Sequence, residues 1–188
     1  MSPSPVLYSL TMNEIEKKIR DYLFSLPKPH FSPAVALGQS KIAGVGLGAV
    51  RDIAEGEVVV VELGPTINRA FIEVIESVTG YECNLCIGWD AYILHAPLHE
   101  DHQGGYINHS CNPNAGLLSN GVWCAIRNIN NGEEVTCDYG TFETRPGWIL
   151  ECQCGSPQCR KRITFEDYKS PELKKRLRNW FAPYLRNS

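Results

Sequence analysis

A chain of 188 residues, 43 % hydrophobic and 21 % charged, suits one domain with one core and excludes a disordered, collagen-like or coiled-coil protein. Its formal charge of −3 is unevenly spread, nine Lys/Arg against seventeen Asp/Glu over residues 1–150 and nine against four over 151–188. An acidic body with a basic tail disfavours nucleic acid as the main ligand, because phosphate binding depends on basic surface.

The first predicted element is a helix over 11–26, with Met12, Ile15, Ile19, Tyr22, Leu23 and Leu26 at helical spacing, a capping box at Thr11 and Glu14, and Pro27 and Pro29 as its stop. From 40 to 63 the pattern changes to short extended segments: Gly44, Gly46 and Gly48 between Ile42 and Val50, then a turn at 54–57 and the run 58–63. The glycine spacing is GxGxG with a strand behind it, so a dinucleotide-binding turn fails on context, although close glycines still let a ligand approach the backbone. A second helix is predicted over 66–80, on Ile67, Phe71, Ile75 and Val78, ended by Gly80. Strands follow at 85–89 and 91–95, then a polar loop with Pro97, Gly104 and Gly105, then strands at 106–108, 115–118, 122–129 and 135–139. A last helix starts at Ser170 and Pro171, with Leu173, Leu177, Trp180 and Phe181 on one face and Lys174, Lys175, Arg176 and Arg178 read as a solvated basic face.

No run approaches the roughly 18 apolar residues of a bilayer span, and residues 1–5 lack the basic flank and apolar stretch of a secretory signal. The expectation is a soluble intracellular protein with no membrane partner, whose eight cysteines serve as thiols or metal ligands rather than as a disulfide framework. Cys152, Cys154 and Cys159, on a turn-rich segment, suit tetrahedral zinc and lack one local ligand; Cys83, Cys86, Cys111, Cys124, Cys137 or a histidine remain open for it. The pair Cys83 and Cys86 reads as two ordinary cysteines at a hairpin, having no βαβ context. His95, His99 and His102 have helical ligand spacing that Pro97 interrupts. The polar side chains of 106–114 (YINHSCNPN), packed densely between apolar strands, must satisfy one another or a ligand, and 132–140 (GEEVTCDYG) ends a strand with a carboxylate and a phenol.

Together and in this order, the segments at 44–46, 108–114, 134–139 and 152–159 resemble the SET-domain protein lysine methyltransferases, over about 40–162. The resemblance implies a mainly β fold with peripheral helices: a β-clip-like SET fold with a pseudoknot, and a C-terminal post-SET zinc segment. With the helices at both ends lying outside the resemblance, the chain divides into an N-terminal helix and linker (1–36), the SET domain (37–145), the post-SET segment (146–165) and a basic C-terminal helix (166–188). By the same resemblance S-adenosylmethionine is held near Gly44, Val45, Gly46, Asn108 and His109, Tyr139 is catalytic, Cys137 and Tyr106 line the lysine channel, and Cys111 joins Cys152, Cys154 and Cys159 on structural zinc.

Two departures stand out. Cys137 occupies the place of an aromatic residue that restricts methyl number in the family, which predicts room for di- or trimethylation. Gly105 stands where many relatives carry an arginine or another polar side chain. The implied reaction is methyl transfer to a lysine in a basic protein segment, histone or not, steered by Glu73, Glu76, Glu82, Asp90, Glu100 and Asp101 between Arg69 and Arg127. The alternative is an inactive, zinc-stabilised interaction module of the same fold.

Overall fold

The computed structural model describes residues 11–98 and 105–188. His99, Glu100, Asp101, His102 and Gly104, to which the sequence assigns a polar loop and part of the acidic stretch, lie outside the described residues. Helix α1 (Met12–Ser25) begins with the expected capping box: Thr11 Oγ1 accepts from Glu14 N at 3.3 Å and Thr11 N donates to Glu14 Oε2 at 2.7 Å. These bonds satisfy donors that a helix start leaves orphaned. Leu23 is the one α1 residue in the buried class. Among the described residues, no helix is long and apolar enough to cross a membrane.

Strand pairing starts at β1 (His30–Phe31), inside the segment that the sequence sets apart as helix and linker. Next comes β2 (Val35–Gln39), which the glycine-interrupted sequence conceals; it runs antiparallel to β3 (Val45–Ala49) from Val35↔Ala49 to Gln39↔Val45. Strand β4 (Val58–Val61) has Val59 and Val60 fully buried. Strand β5 (Thr66–Ile67) precedes α2 (Arg69–Thr79), so Ile67 belongs to a strand and the helix buries Ile72 and Ile75 while Phe71 lies exposed. Asn68 explains the later start, its Oδ1 accepting from Phe71 N at 3.0 Å. Gly80 closes the helix in the left-handed conformation at φ 71°.

Then come β6 (Asn84–Gly88), β7 (Ala91–Leu94), β8 (Asn108–His109), β9 (Ala115–Ser119), β10 (Val122–Ala125), β11 (Glu134–Cys137), β12 (Ile149–Glu151), β13 (Arg162–Thr164) and α3 (Pro171–Leu177). They form four small sheets, ordered β1-β4-β10-β9, β2-β3-β11-β8, β5-β7-β6 and β12-β13. The second sheet positions the site. Its strand β8 lies parallel to β11, Asn108 opposite Thr136 and His109 opposite Cys137. Buried Asn114 completes the crossing: Nδ2 donates to Glu134 O at 2.8 Å, and Oδ1 accepts from Thr136 N at 2.8 Å. One carboxamide thereby replaces the ladder bonds that strand pairing ceases to supply.

The C-terminal segment packs on the outside of the sheets with a small core of its own. Ser170 caps α3, accepting from Leu173 N at 3.3 Å, and Leu173, Leu177, Phe181 and Leu185 form a second small core. Its cations are not left to solvent alone: Arg176 donates to Cys111 O (2.8 Å), Arg178 to Arg186 O (3.1 Å), and Arg186 to the carbonyls of Leu117 and Leu118 (2.9 and 2.8 Å). This tail covers β9, where a Cβ on Gly116 would stand 2.6 Å from Trp180 Cβ.

Gly64, between β4 and β5, passes so close to the end of β7 that a Cβ there would stand 1.8 Å from the main-chain oxygen of Leu94. Backbone on both sides cannot yield, so Gly64→Ala is expected to cost about 1–3 kcal/mol. The control Gly38→Ala, whose Cβ meets nothing within 4 Å, should stay within about 0.5 kcal/mol of wild type. Urea unfolding of the two variants checks the contrast.

Candidate active site

The 40–45 loop and the strand behind it set one wall of the site. Gly44 adopts φ 49°, the left-handed region that glycine enters without strain. Gly46 is needed for a different reason, since a Cβ there would meet Glu134 Oε1 at 2.5 Å and Asn108 Nδ2 at 2.9 Å. That space lets Asn108 Nδ2 donate to Ala43 O (3.1 Å), Val45 O (3.0 Å) and Glu134 Oε1 (2.9 Å), while Ser40 Oγ donates to the same carboxylate at 2.7 Å. Asn108 therefore pins the loop with its amide nitrogen.

Two cavities meet here. A cavity of about 620 Å³ is lined by Gly44, Val45, Asn108 and His109 together with Ile42, Ala43, Tyr139 and residues 150–154. A narrower one of about 110 Å³ is lined by Tyr106, Cys137, Tyr139 and, among others, Glu62, His95, Trp123, Phe142 and Trp148. Tyr139, Gly105 and the exposed Glu82 line both. Of the residues expected around the cofactor, Gly46 alone does not line the larger cavity; it lies behind, against Glu134 and Asn108.

Tyr139 occupies the junction because its neighbours fix it at three points. Its amide donates to His109 Nδ1 at 3.1 Å, its hydroxyl donates to Ile107 O at 3.0 Å, and its ring stands edge-on to Phe142 at 5.5 Å. Burial raises the phenol's pKa, so it stays protonated at neutral pH. The Cys137 thiol, 3.8 Å from the same Ile107 carbonyl, is likewise held in its neutral form by burial. Burial lowers His109 to about 4 and keeps it neutral; accepting at Nδ1, it carries its proton on Nε2, which faces Cys111 Sγ at 3.3 Å.

The cysteines converge beneath this point. Ligand atoms of His109, Cys111, Cys152 and Cys154 lie within 4.8 Å of one another, a group able to hold a metal ion. Sulfur separations are 3.9 Å for Cys111 to Cys152 and 3.6 Å for Cys159 to Cys152. Cys111 N donates to Cys154 Sγ at 3.4 Å, and Arg160 N to Cys111 Sγ at 3.3 Å. The Arg160 side chain then turns to Asp138, donating to both carboxylate oxygens at 2.6 and 2.7 Å, and to Asp167 at 3.0 Å. Cys83 and Cys86 are apart from this group: burial pushes the Cys83 thiol up to about 12, and Cys86 Sγ lies 3.2 Å from the Tyr184 hydroxyl.

Glu62, Trp123 and Phe142 carry no sequence motif and come from distant parts of the chain; besides the histidine spacing that singles out His95, the carboxylate closing a run of four valines at 58–61 is the one hint. The acidic stretch is in part neutralised at home, Glu76 accepting twice from the Arg145 guanidinium at 2.8 and 2.6 Å, while Asp90 accepts from the Arg69 main-chain amide at 2.9 Å.

The sequence profile of the SET domain matches residues 44–140. Histone-lysine N-methyltransferase trr of Drosophila melanogaster is 34 % identical over 143 residues, covering 68 % of this chain and 6 % of that protein. Putative histone-lysine N-methyltransferase ASHH4 of Arabidopsis thaliana is 30 % identical over 175 residues, covering 81 % of this chain and 48 % of that protein. The chain thus spans less than half the length of each of these curated relatives. Its fold is also that of a solved structure, the crystal structure of KRYPTONITE in complex with mCHG DNA and SAH, at a TM-score of 0.51 and 24 % identity over 69 % of this chain and 29 % of that one. The profile covers more than half of the chain, including the crossing of residues 108–114 with 134–139 that holds Tyr139, and this protein belongs to the SET-domain family.

Proposed function

We propose that this protein is an S-adenosylmethionine-dependent protein-lysine N-methyltransferase. The observation that carries the reading is the sharing of Tyr139 by a large cavity and a narrow aromatic one. The larger volume lies in the range of small-molecule sites, and its wall suits the co-substrate: main chain at Gly44 and Val45, with Asn108 and His109 beside it. Gly46 acts from behind by admitting Asn108. When bound, S-adenosylmethionine supplies an electrophilic methyl group on a positively charged sulfur.

The chain's own residues have to prepare the amine. A lysine with pKa near 10.4 needs about 4 kcal/mol to be neutral at about pH 7.4. Tyr106, Trp123, Phe142 and Trp148 wall the narrow cavity and desolvate the amine, which favours its uncharged form. The same narrowness restricts its approach to one direction, and such orientation replaces an entropic part of the barrier. Tyr139, protonated and fixed through Ile107 O, presents a hydroxyl dipole at the junction. The curated relatives above are named as histone-lysine enzymes, and a lysine in a basic protein segment such as a histone is the substrate class we assign.

Cys111, Cys152, Cys154 and Cys159 are the zinc ligands in this reading. Metal–sulfur bonds of about 2.3 Å give tetrahedral edges of about 3.8 Å, and the sulfur separations of 3.9 and 3.6 Å fit them. His109 supports the site from outside, offering Nε2–H to Cys111 Sγ while Nδ1 accepts from Tyr139 N. The metal would then lock the C-terminal segment against the turn that carries Tyr139.

Labelled S-adenosylmethionine with core histones and other basic proteins tests the activity. Tyr139→Phe should lower transfer by about a hundredfold or more with unchanged melting temperature; a wild-type rate in that variant would remove the proposed role. Co-substrate binding without transfer by the native chain would favour the interaction module instead. Native mass spectrometry should find one zinc per chain, and its removal by a chelator, or Cys152→Ser, should lower the melting temperature and abolish transfer together. A metal-free chain of full stability refutes the site. Cys137→Tyr, which fills the narrow cavity, should shift products from di- or trimethyl-lysine to monomethyl-lysine by mass spectrometry; unchanged products would clear Cys137 of a role in multiplicity.

A further inference from the structure

The ten arginines of this protein fall into two kinds. Seven of them, from Arg20 to Arg162, pair with a carboxylate. The other three all lie in the tail and bind main-chain carbonyls instead: Arg176 that of Cys111 at 2.8 Å, Arg178 that of Arg186 at 3.1 Å, and Arg186 those of Leu117 and Leu118 at 2.9 and 2.8 Å. A carbonyl fixes a guanidinium in place and leaves its full charge uncancelled. Lys174 is held in the same way, by Ser188 O at 2.6 Å, and Lys175 is exposed. Residues 171–188 thus carry five Lys/Arg against the single carboxylate of Glu172, on a chain whose formal charge is −3.

Four of these cations converge. Lys174, Lys175, Arg176 and Arg178 line one surface cavity of about 370 Å³, with the half-buried Trp180 as its apolar wall. Guanidinium groups that are already ordered lose little freedom when an anion arrives, and their planar forks match phosphate oxygens. Charge density selects the anion. Duplex DNA carries one negative charge per about 1.7 Å of axis and releases condensed counterions when cations replace them, whereas an extended acidic peptide offers at most one charge per about 3.3 Å. We infer that Lys174, Lys175, Arg176 and Arg178 form a docking surface for the phosphate backbone of duplex DNA. The acidic body repels the same polyanion, so the contact is confined to the tail and is auxiliary to the site. It holds the protein beside a basic substrate segment that is itself carried on DNA, a role that rests on the histone-like substrate class proposed above.

The test is fluorescence anisotropy of a short labelled duplex with the full chain, without co-substrate or histone, between about 50 and 200 mM salt. The duplex should bind, and the logarithm of its affinity should fall linearly with the logarithm of salt concentration. Lys175→Gln alters an exposed side chain and should weaken binding about threefold or more while reducing that slope by about one. Lys28→Gln, equally exposed and outside the cavity, should do neither. No binding, an affinity indifferent to salt, wild-type affinity in Lys175→Gln, or equal loss in both variants overturns the docking surface. Polyglutamate that displaces the duplex at equal charge concentration overturns it too, in favour of an acidic protein partner. Binding is read without turnover, which keeps the two readings separable. Duplex binding by a chain that transfers no methyl refutes the enzyme and leaves the docking surface, whereas transfer to free histone by a chain indifferent to the duplex does the reverse.

Discussion

The ion pair between Asp138 and Arg160 holds the two halves of the site together. Asp138 is fully buried, and both of its oxygens face the guanidinium at 2.6 and 2.7 Å. Removing one partner of such a pair typically costs about 3–5 kcal/mol, because the other charge is left in low dielectric. Asp138 precedes Tyr139 and Arg160 follows Cys159 in sequence, so the pair joins the phenol's turn to the cysteine-rich segment without requiring a metal. Asp167 adds a second contact at 3.0 Å and is itself held by Thr164, whose amide and hydroxyl both donate to it at 3.0 Å. Gly140 permits the approach, since a Cβ there would stand 2.7 Å from Asp167 Cβ.

The crossing of residues 108–114 with 134–139 depends on two carboxamides with opposite assignments. Asn114 faces inward and replaces strand bonds on Glu134 and Thr136. Asn108 faces the 43–45 loop and converges with Ser40 on Glu134. A carboxamide can donate and accept at once, so it suits backbone where two strands part and neither can complete the other. Hydroxyl or apolar side chains at these positions would leave main-chain groups unpaired in a buried place, which explains why the polar stretch is dense and local.

That density made the site's motifs legible in the sequence. Residues 108–114 and 134–139 are polar runs among apolar strands, and each polar side chain had to find a partner within reach. The capping box of α1 and the Ser170 cap of α3 were equally legible, because their bonds lie within four residues. Strand β2 was not: a glycine and a glutamine break its alternation, and only pairing with β3 makes Val35–Gln39 a strand. Helix α2 was placed too early for a similar reason, Ile67 being claimed by β7 and not by the helix. Arg160 looked like one more cation in a basic tail until folding brought it to Asp138. Glu62 and His95, 33 positions apart, meet through the close pass of Gly64 over Leu94, an event that no local pattern encodes.

Read as the lysine channel of the proposed enzyme, the narrow cavity has to reconcile two opposing demands on its guest. Attack requires a neutral amine, and the aromatic walls favour that form by desolvation. Capture from water concerns the charged form, which dominates at neutral pH and would not enter an apolar slot unaided. A sulfonium in the neighbouring cavity, as a like charge, favours the neutral form further. On the proposed reading the two cavities divide the work: the aromatic one strips the amine of water, and loss of its proton is favoured only once the sulfonium stands beyond Tyr139. On this argument the proton leaves late, after both reactants are seated, and the buried Cys137 thiol and Tyr139 phenol, held protonated by their surroundings, stay out of the acid–base exchange.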